Sequence, residues 1–429
     1  MDSSPSAGVI TKEVASGTSF GFVFDVDGVL VKGSEALSTA QATIKMLQEE
    51  HIPFILLTNG GGRTEESHVA KISQQLGVTL SKDQIVQSHT PFLDLVPQYQ
   101  DANILVLGGH NNSIRDVAKR YGFRKVFTSS DLMQHFSHIH PFPEMTRLQH
   151  NKNAVETSTT PLGGKGGEIA AILVWTCPRD WCLDLQVIHD LLLSSNGTFG
   201  EMSAKAGDVA LPNNGFLQDG QPKLYFCNPD FEWATQHNRP RFAQGAFIQA
   251  LQGIWDHSTK RKGKLEYSII GKPTGATFQY GEMVLQKYND KLNGINGTSN
   301  QIKRVYMIGD NPESDIDGAN NYKSTFGIEW KSVLVETGVY AAGSLPAHKP
   351  SHIVHNVQAA VNWAMQQEGV FPGLTTKPQR QTSPSYWRSH GHEGTATLQE
   401  EPTIRTRQFP SLRQAERNEG RKRTESEYK

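Results

Sequence analysis

Two aspartates, one residue apart, interrupt the apolar run Phe22-Val-Phe-Asp25-Val-Asp27-Gly-Val-Leu30. A carboxylate buried there without a partner costs several kcal/mol or has to neutralise, so the pair needs a cation or a chemical task. A third acid ends another apolar run, Arg304-Val-Tyr-Met-Ile-Gly-Asp310, and Asp315 follows shortly after. Asp25 and Asp310 supply hard oxygen ligands of the kind Mg²⁺ takes, an ion that accepts one or two carboxylates beside a substrate phosphate and keeps several waters. Thr58-Asn59-Gly60-Gly-Gly62 offers a hydroxyl followed by glycines whose backbone N–H groups can approach phosphate oxygens closely. Gly271-Lys272-Pro273 offers a positive charge that carboxylates and phosphate both need. The chemistry these residue types share is phosphoryl transfer.

Such residues are useful only if the chain gathers them. Phe20 to Phe24 is apolar throughout, as a strand buried on both faces of a parallel sheet must be. Residues 38–50 have helical spacing through Ile44 and Leu47, and 51–58 form a second short strand, which completes a βαβ unit. Residues 64–77 are a helix with Thr64 as N-cap and Gly77 as stop. The same alternation predicts strands at 102–109, 169–175, 223–227, 266–270, 304–310 and, as the last, 331–336. Helices are predicted at 113–121, near 185–194, at 243–255 and at 277–288. The fold class is therefore α/β, a doubly wound parallel sheet. In such sheets ligand sites form in the crevice at the carboxyl ends of the strands, where all four motifs fall.

At 429 residues the chain exceeds the usual size of one core, so two domains with extra segments are expected. Lys and Arg total 42 against 43 Asp and Glu, so no global field draws the protein to nucleic acid or an anionic membrane. Three cysteines, Cys177, Cys182 and Cys227, are too few for a disulfide framework and suit a reducing compartment. The N-terminus has neither a secretory apolar core nor an arginine-rich presequence, and no apolar run is long enough to span a bilayer. The expectation is a soluble, cytoplasmic protein. Asn-x-Ser/Thr triplets at Asn111, Asn196 and Asn296 are read as chance matches, and Arg421-Lys-Arg423 as part of a solvated tail.

Asp-Val-Asp-Gly-Val at 25–29, Thr58-Asn59, Gly271-Lys272-Pro273 and Gly309-Asp310 through Asp315 resemble, in order, the four motifs of the haloacid dehalogenase superfamily. Each motif is short, but four in order at strand ends make the resemblance specific, and it covers about residues 18–365. The long segment between the second and third motifs resembles the inserted C2 cap of the subgroup that includes nucleotide monophosphate and pyridoxal phosphate phosphatases. Leu-Leu-Thr-Asn-Gly-Gly-Gly and Asn228-Pro-Asp230 are similar to the branch of the cat-eye syndrome critical region protein 5.

The resemblance implies a Rossmannoid core with an α/β cap and a phosphatase of small phosphomonoesters that uses Mg²⁺. It implies that Asp25 attacks phosphorus, that Asp27 is the acid and base with its backbone carbonyl on the metal, and that Asp310 is the second metal carboxylate. Thr58, Asn59, Gly60 and Lys272 would bind the transferring group, and Asp315 would hold Lys272 or a metal-bound water. It also makes the mitochondrion the alternative compartment and leaves a homodimer through the cap open.

Plainer readings stand beside these. Asp315 also fits the start of a helix, at the positive end of its dipole. Glu313 and Asp317 read as solvated turn residues, His89 and His110 either as side chains that reach the site from the cap boundary or, more simply, as exposed loop histidines, and Asn228-Pro-Asp230 as a hinge or a positioning element. The expected organisation is a flexible 1–17, a first core part at 18–100, a cap at 101–230 with a mobile loop near 134–167, a second core part at 231–370 and a disordered tail at 371–429. The His and Lys residues of that loop define no pocket. A receiver-type module that only accepts phosphate, and an inactive binding protein of the same fold, are the competing functions; Asp27 argues for hydrolysis, and against carbon–halogen chemistry.

Overall fold

A computed structural model of the protein describes residues 18–136, 138–155, 166–293 and 301–370. The chain forms β1 (Phe20–Phe24), a hairpin of β2 (Val31–Lys32) and β3 (Glu35–Ala36), then β4 (Phe54–Thr58) and β5 (Ile85–Gln87). It continues through β6 (Asn103–Leu107), β7 (Lys125–Phe127), β8 (Ile169–Val174) and β9 (Lys223–Phe226). A second hairpin of β10 (Glu232–Trp233) and β11 (Arg241–Phe242) precedes β12 (Ser268–Ile269), and β13 (Arg304–Gly309), β14 (Glu329–Val335) and β15 (His352–Val354) follow.

Two parallel sheets result, one in the order β15-β14-β13-β1-β4-β5 and one in the order β12-β9-β8-β6-β7. The α/β class is borne out. β1 lies between β13 and β4, so its backbone groups enter ladders on both sides. Phe22 and Phe24 pack with Ile44 and Leu56 on one face, and Val23 with Ile55, Phe278 and Met307 on the other. Both faces are covered by helices, which is why β1 reads as an unbroken apolar run. Each such side chain contributes about 1.5–3 kcal/mol when fully buried. The second sheet is covered in the same way, with Leu105 and Ile172 facing Leu183 and Trp255, and Ile104 and Val106 facing Phe92 and Val117.

Local signals act as their chemistry requires. Thr64, in extended conformation, accepts a hydrogen bond from Ser67 N at the start of the helix Glu65–Leu76, and Gly77 ends it in the left-handed region at φ +63°.

Three expectations change. The strand at 331–336 is not the last, because β15 pairs beside β14; its three residues are largely exposed and carry no apolar run to read. The strand expected at 266–270 joins the second sheet, where Ser268 pairs with Tyr225. The helix Gln244–Ser258 likewise places Phe247, Leu251 and Trp255 in the core of that sheet. A cap boundary at 230 therefore falls too early: the polar turn there resembles a linker, but the apolar face that follows has its partner in the cap. Inside the loop expected at 134–167 the chain forms the helix Arg147–Asn153, in which only His150 is buried, so the helix has no apolar stripe to announce it. Residues 156–165, the N-terminal segment 1–17 and the tail 371–429 lie outside the described residues.

Candidate active site

The loops leaving the carboxyl edge of the first sheet converge. Phe24 pairs with Ile308 on one side and with Leu56 on the other, so the tips of β1, β13 and β4 lie level. Asp25 and Asp27 follow the first tip, Asp310 the second, and Thr58 ends the third. Lys272 arrives from the turn after β12 of the other sheet, is 1% exposed, and places Nζ 2.6 Å from Asp25 Oδ1 and 2.7 Å from Asp315 Oδ1. Asp25, Asp310 and Asp315 bring carboxylate oxygens within 4.8 Å of one another. With Asp27, Thr58, Asn59, Gly60 and Lys272 they line one cavity of about 570 Å³.

Asp310 is held by the turn after β14: Val339 N–H donates to its Oδ2 at 2.6 Å and Tyr340 N–H to its carbonyl at 3.1 Å. Close approach explains two glycines. A Cβ on Gly28, whose φ is +93°, would lie 2.3 Å from Asp310 Oδ2, and one on Gly338 would lie 1.7 Å from it. Sequence reasoning missed this turn, since Thr337-Gly338 after a strand is a signal too common to single out.

Thr58 and its neighbours divide their tasks differently from expectation. Gly60 N–H donates to Thr58 Oγ1 at 2.9 Å, so that amide is engaged within the loop while the Thr58 hydroxyl hydrogen stays available to a ligand. The Asn59 side chain, expected to meet phosphate, clamps Lys272 instead: Oδ1 accepts from Lys272 N at 2.9 Å and Nδ2 donates to Lys272 O at 3.0 Å. The same Nδ2 donates to Asp230 Oδ2 at 3.0 Å, Asn311 Nδ2 reaches Asp230 Oδ1 at 3.2 Å, and Asn228 Nδ2 donates to Asn59 O at 3.0 Å. Asn228 and Asp230 thus tie the turn after β9 of the second sheet to two loops of the first.

Asp315 both binds Lys272 and accepts from Asn311 N at 3.1 Å. Glu313 and Asp317 point to His348, away from the cavity lining. His110 lines the cavity from the cap, with Arg63, Lys71 and Arg179, basic residues that the motifs did not single out. His89 is fully buried against Trp175 and Tyr121, not exposed as its loop position suggested.

Charge in this crevice is unbalanced. Burial pushes Asp25 up to about 8, opposed by Lys272 and reinforced by Asp315 and Asp27. Burial likewise raises Asp27 to about 6, against Lys71 and Lys272, and Asp230 to about 6, against Lys272 and Asn59. Asp310 is raised well above the carboxylate range by burial first, then by Asp25 and Asp315. Burial alone would lower Lys272, but Asp25 and Asp315 outweigh it and hold the ammonium charged. Three buried carboxylates around one ammonium leave a negative excess, and the donors that meet there are all hard oxygens. That donor set fits a divalent cation, whose charge reverses the upward shifts of Asp25 and Asp310.

A parallel core sheet with an acid-lined crevice, covered by a second α/β unit inserted between the Thr58 and Lys272 loops, defines a capped α/β protein. The haloacid dehalogenase-like hydrolase family matches residues 22–124, and a HAD-hydrolase-like family matches residues 269–360. A mitochondrial hydrolase of Saccharomyces cerevisiae is 34% identical over 366 residues, covering 81% of this chain and 95% of that one. A cardiolipin synthase (CMP-forming)/mitochondrial hydrolase fusion protein of Schizosaccharomyces pombe is 36% identical over 349 residues, covering 81% of this chain and 53% of that one, so the chain spans about half of that relative's length. The chain belongs to the haloacid dehalogenase-like hydrolase family. The crystal structure of a hypothetical protein from Pyrococcus horikoshii OT3 has the same fold, with TM-score 0.51 and 19% identity over 80% of this chain and 99% of that one.

Proposed function

We propose that this hydrolase is a Mg²⁺-dependent phosphatase of a small phosphomonoester, working through a phosphoryl group carried on Asp25. The observation that carries the reading is the position of Lys272 Nζ between Asp25 and Asp315, beside Asp310 and in the cavity that Asp27 and Thr58 share. A carboxylate oxygen of Asp25 attacks phosphorus, and the ester oxygen leaves with a proton from Asp27. Water then attacks the phosphorylated Asp25, giving its proton to Asp27, and inorganic phosphate departs with both aspartates restored. Thr58 donates its hydroxyl hydrogen to a phosphoryl oxygen, and Lys272 neutralises charge on the transferring group. Asp25, Asp310 and the backbone carbonyl of Asp27 would hold Mg²⁺, which supplies further charge neutralisation at the phosphoryl oxygens.

A cavity of about 570 Å³ suits a metabolite-sized ligand, and Arg179, His110 and Lys71 favour an anionic one. Asp27 in the same cavity favours turnover over a module that only receives phosphate. In one relative a mitochondrial hydrolase is fused to a cardiolipin synthase named as CMP-forming, so CMP belongs beside sugar, glycerol and lipid headgroup phosphates in the substrate panel. Two relatives are named as mitochondrial hydrolases, and we place this protein in the mitochondrion rather than the cytoplasm on that ground; fractionation of cells with an antibody to the endogenous chain tests it. The activity test is phosphate release from the panel with and without Mg²⁺, for the native protein and Asp25→Asn. Release from at least one ester that needs Mg²⁺ and vanishes in the variant is expected; undiminished release by the variant excludes Asp25 as the nucleophile.

A further inference from the structure

The cap has a crevice of its own. β6 and β8 are neighbours, but the chain leaves β6 towards β7 on one side and β8 towards β9 on the other. Between the carboxyl ends of two such strands the connecting segments diverge, which is where parallel α/β sheets take ligands. A second cavity of about 300 Å³ lies there. Its wall includes His150, 9% exposed, and Asp180 from the turn after β8, and behind Asp180 lies His140, 5% exposed. His140 Nε2 is 2.9 Å and His150 Nε2 3.2 Å from Asp180 Oδ2, and the three ligand atoms lie within 4.8 Å of one another.

Neutral imidazole suits Zn²⁺ and the neighbouring first-row divalent ions, whereas Mg²⁺ takes oxygen. With bonds of about 2.0–2.1 Å, ligand atoms around a tetrahedral ion sit about 3.3 Å apart, close to the two separations from Asp180 Oδ2. The surroundings orient the donors. Ser130 Oγ is 2.8 Å from His150 Nδ1, which turns Nε2 towards Asp180. Asp180 Oδ1 accepts from Leu183 N at 3.0 Å, and its Oδ2 accepts from Thr146 Oγ1 at 2.8 Å.

A second observation points the same way. Asp184, one helical turn after Asp180, is 3% exposed and lines the same cavity, and its Oδ1 has no hydrogen-bond partner among the described residues. A carboxylate oxygen left unpaired at that depth costs about 1–3 kcal/mol, so a cation or its bound water is a fitting neighbour. We infer that His140, His150 and Asp180 form a divalent-cation site in the cap, chemically distinct from the all-oxygen site of the crevice and selective for an ion of the Zn²⁺ kind. With both Nε2 atoms on the cation, each ring keeps its proton on Nδ1. That of His150 meets Ser130, while that of His140 faces Phe142 N–H at 3.3 Å, so the 140–142 turn has to shift slightly. The rival arrangement is a staple in which both rings donate Nε2–H to Asp180 and no metal is needed.

The full-length protein, stripped with chelator and dialysed against limiting Zn²⁺ in excess Mg²⁺, should retain about one Zn²⁺ per chain by elemental analysis. Co²⁺ in its place should give the visible absorption of a low-coordinate site. Retention should fall at least ten-fold in His150→Ala and in Asp180→Asn, the latter keeping the N-cap that Asn also provides. Zn²⁺ should raise the melting temperature of the native protein and of Asp25→Asn, and leave that of Asp180→Asn unchanged. A native protein that retains no Zn²⁺, or equal retention by native and Asp180→Asn proteins, overturns the site in favour of the staple.

Discussion

Asn59 Nδ2 lies 3.0 Å from Asp230 Oδ2, joining a loop of the first sheet to the turn after β9 of the second, and the same amide holds both the N–H and the C=O of Lys272. One side chain thus sets the position of the buried ammonium relative to Asp25. Asn59→Ala leaves two buried backbone groups of Lys272 unpaired and costs about 1–3 kcal/mol of stability each at most. A displacement of about 1 Å at the reacting centre costs on the order of 10²-fold in rate. We expect kcat to fall by about that factor with a smaller change in KM, measured on the substrate the panel identifies; an unchanged kcat sinks the positioning role.

Gly338→Ala tests the cradle of Asp310 without replacing any charged residue. The new Cβ would meet Asp310 Oδ2 at 1.7 Å, and the Val339 N–H that orients this carboxylate is the next residue in the chain. The carboxylate has to move, so Mg²⁺ dependence should shift to at least ten-fold higher concentration while the circular dichroism spectrum stays native. An unaltered Mg²⁺ titration would show that the turn yields instead.

How much of this was legible differs by element. The four motif loops fall at strand ends because β1, β4 and β13 are apolar runs whose buried faces force a parallel sheet, and a run of that kind is visible in a single sequence. Asn59 was visible as part of a motif, but its hydrogen bonds to Lys272 and Asp230 come from residues far along the chain, and no local pattern announces them. Gly338, Arg179 and Lys71 reach the cavity through tertiary packing alone. The cap's later boundary was hidden for the same reason: Phe247 and Trp255 mark an apolar helix face, but which sheet that face covers is decided by contacts and not by spacing. His140 and His150 come from a stretch with no periodicity and Asp180 from the turn after a strand, so no local pattern brings the three together.

Divalent cation should stabilise the fold, because it relieves the excess charge around Asp25, Asp310 and Asp315. At a hundred-fold excess over its Kd a ligand that binds only the folded state adds about 2.7 kcal/mol. We expect the melting temperature to rise by several degrees in Mg²⁺ over chelator. In Asp310→Asn that rise should disappear. In chelator the variant should melt no lower than the native protein, since the carboxylate it removes is raised by burial and by Asp25 and Asp315. A variant that still gains the full increment would place the cation elsewhere.

His89 gives a pH dependence whose sign can be worked out. The Tyr121 hydroxyl donates to Glu65 Oε1 at 2.6 Å, so its oxygen accepts from His89 Nδ1 at 3.0 Å and the ring is held as the neutral Nδ1–H form. Burial is the main cause that pushes this imidazole down to about 3, with His68 adding to it. In the unfolded chain a histidine titrates near 6.5. Between these values the unfolded state binds a proton that the folded state excludes, so this contribution is fully present above about pH 6.5 and is lost as pH falls, by up to about 1.4 kcal/mol per pH unit. Gln at position 89 does not titrate and can still donate to Tyr121. The native protein should therefore lose stability faster than His89→Gln between pH 6.5 and about 4, whatever their difference at pH 7. Urea unfolding at several pH values measures both slopes, and parallel slopes would mean that His89 takes up its proton in the folded protein.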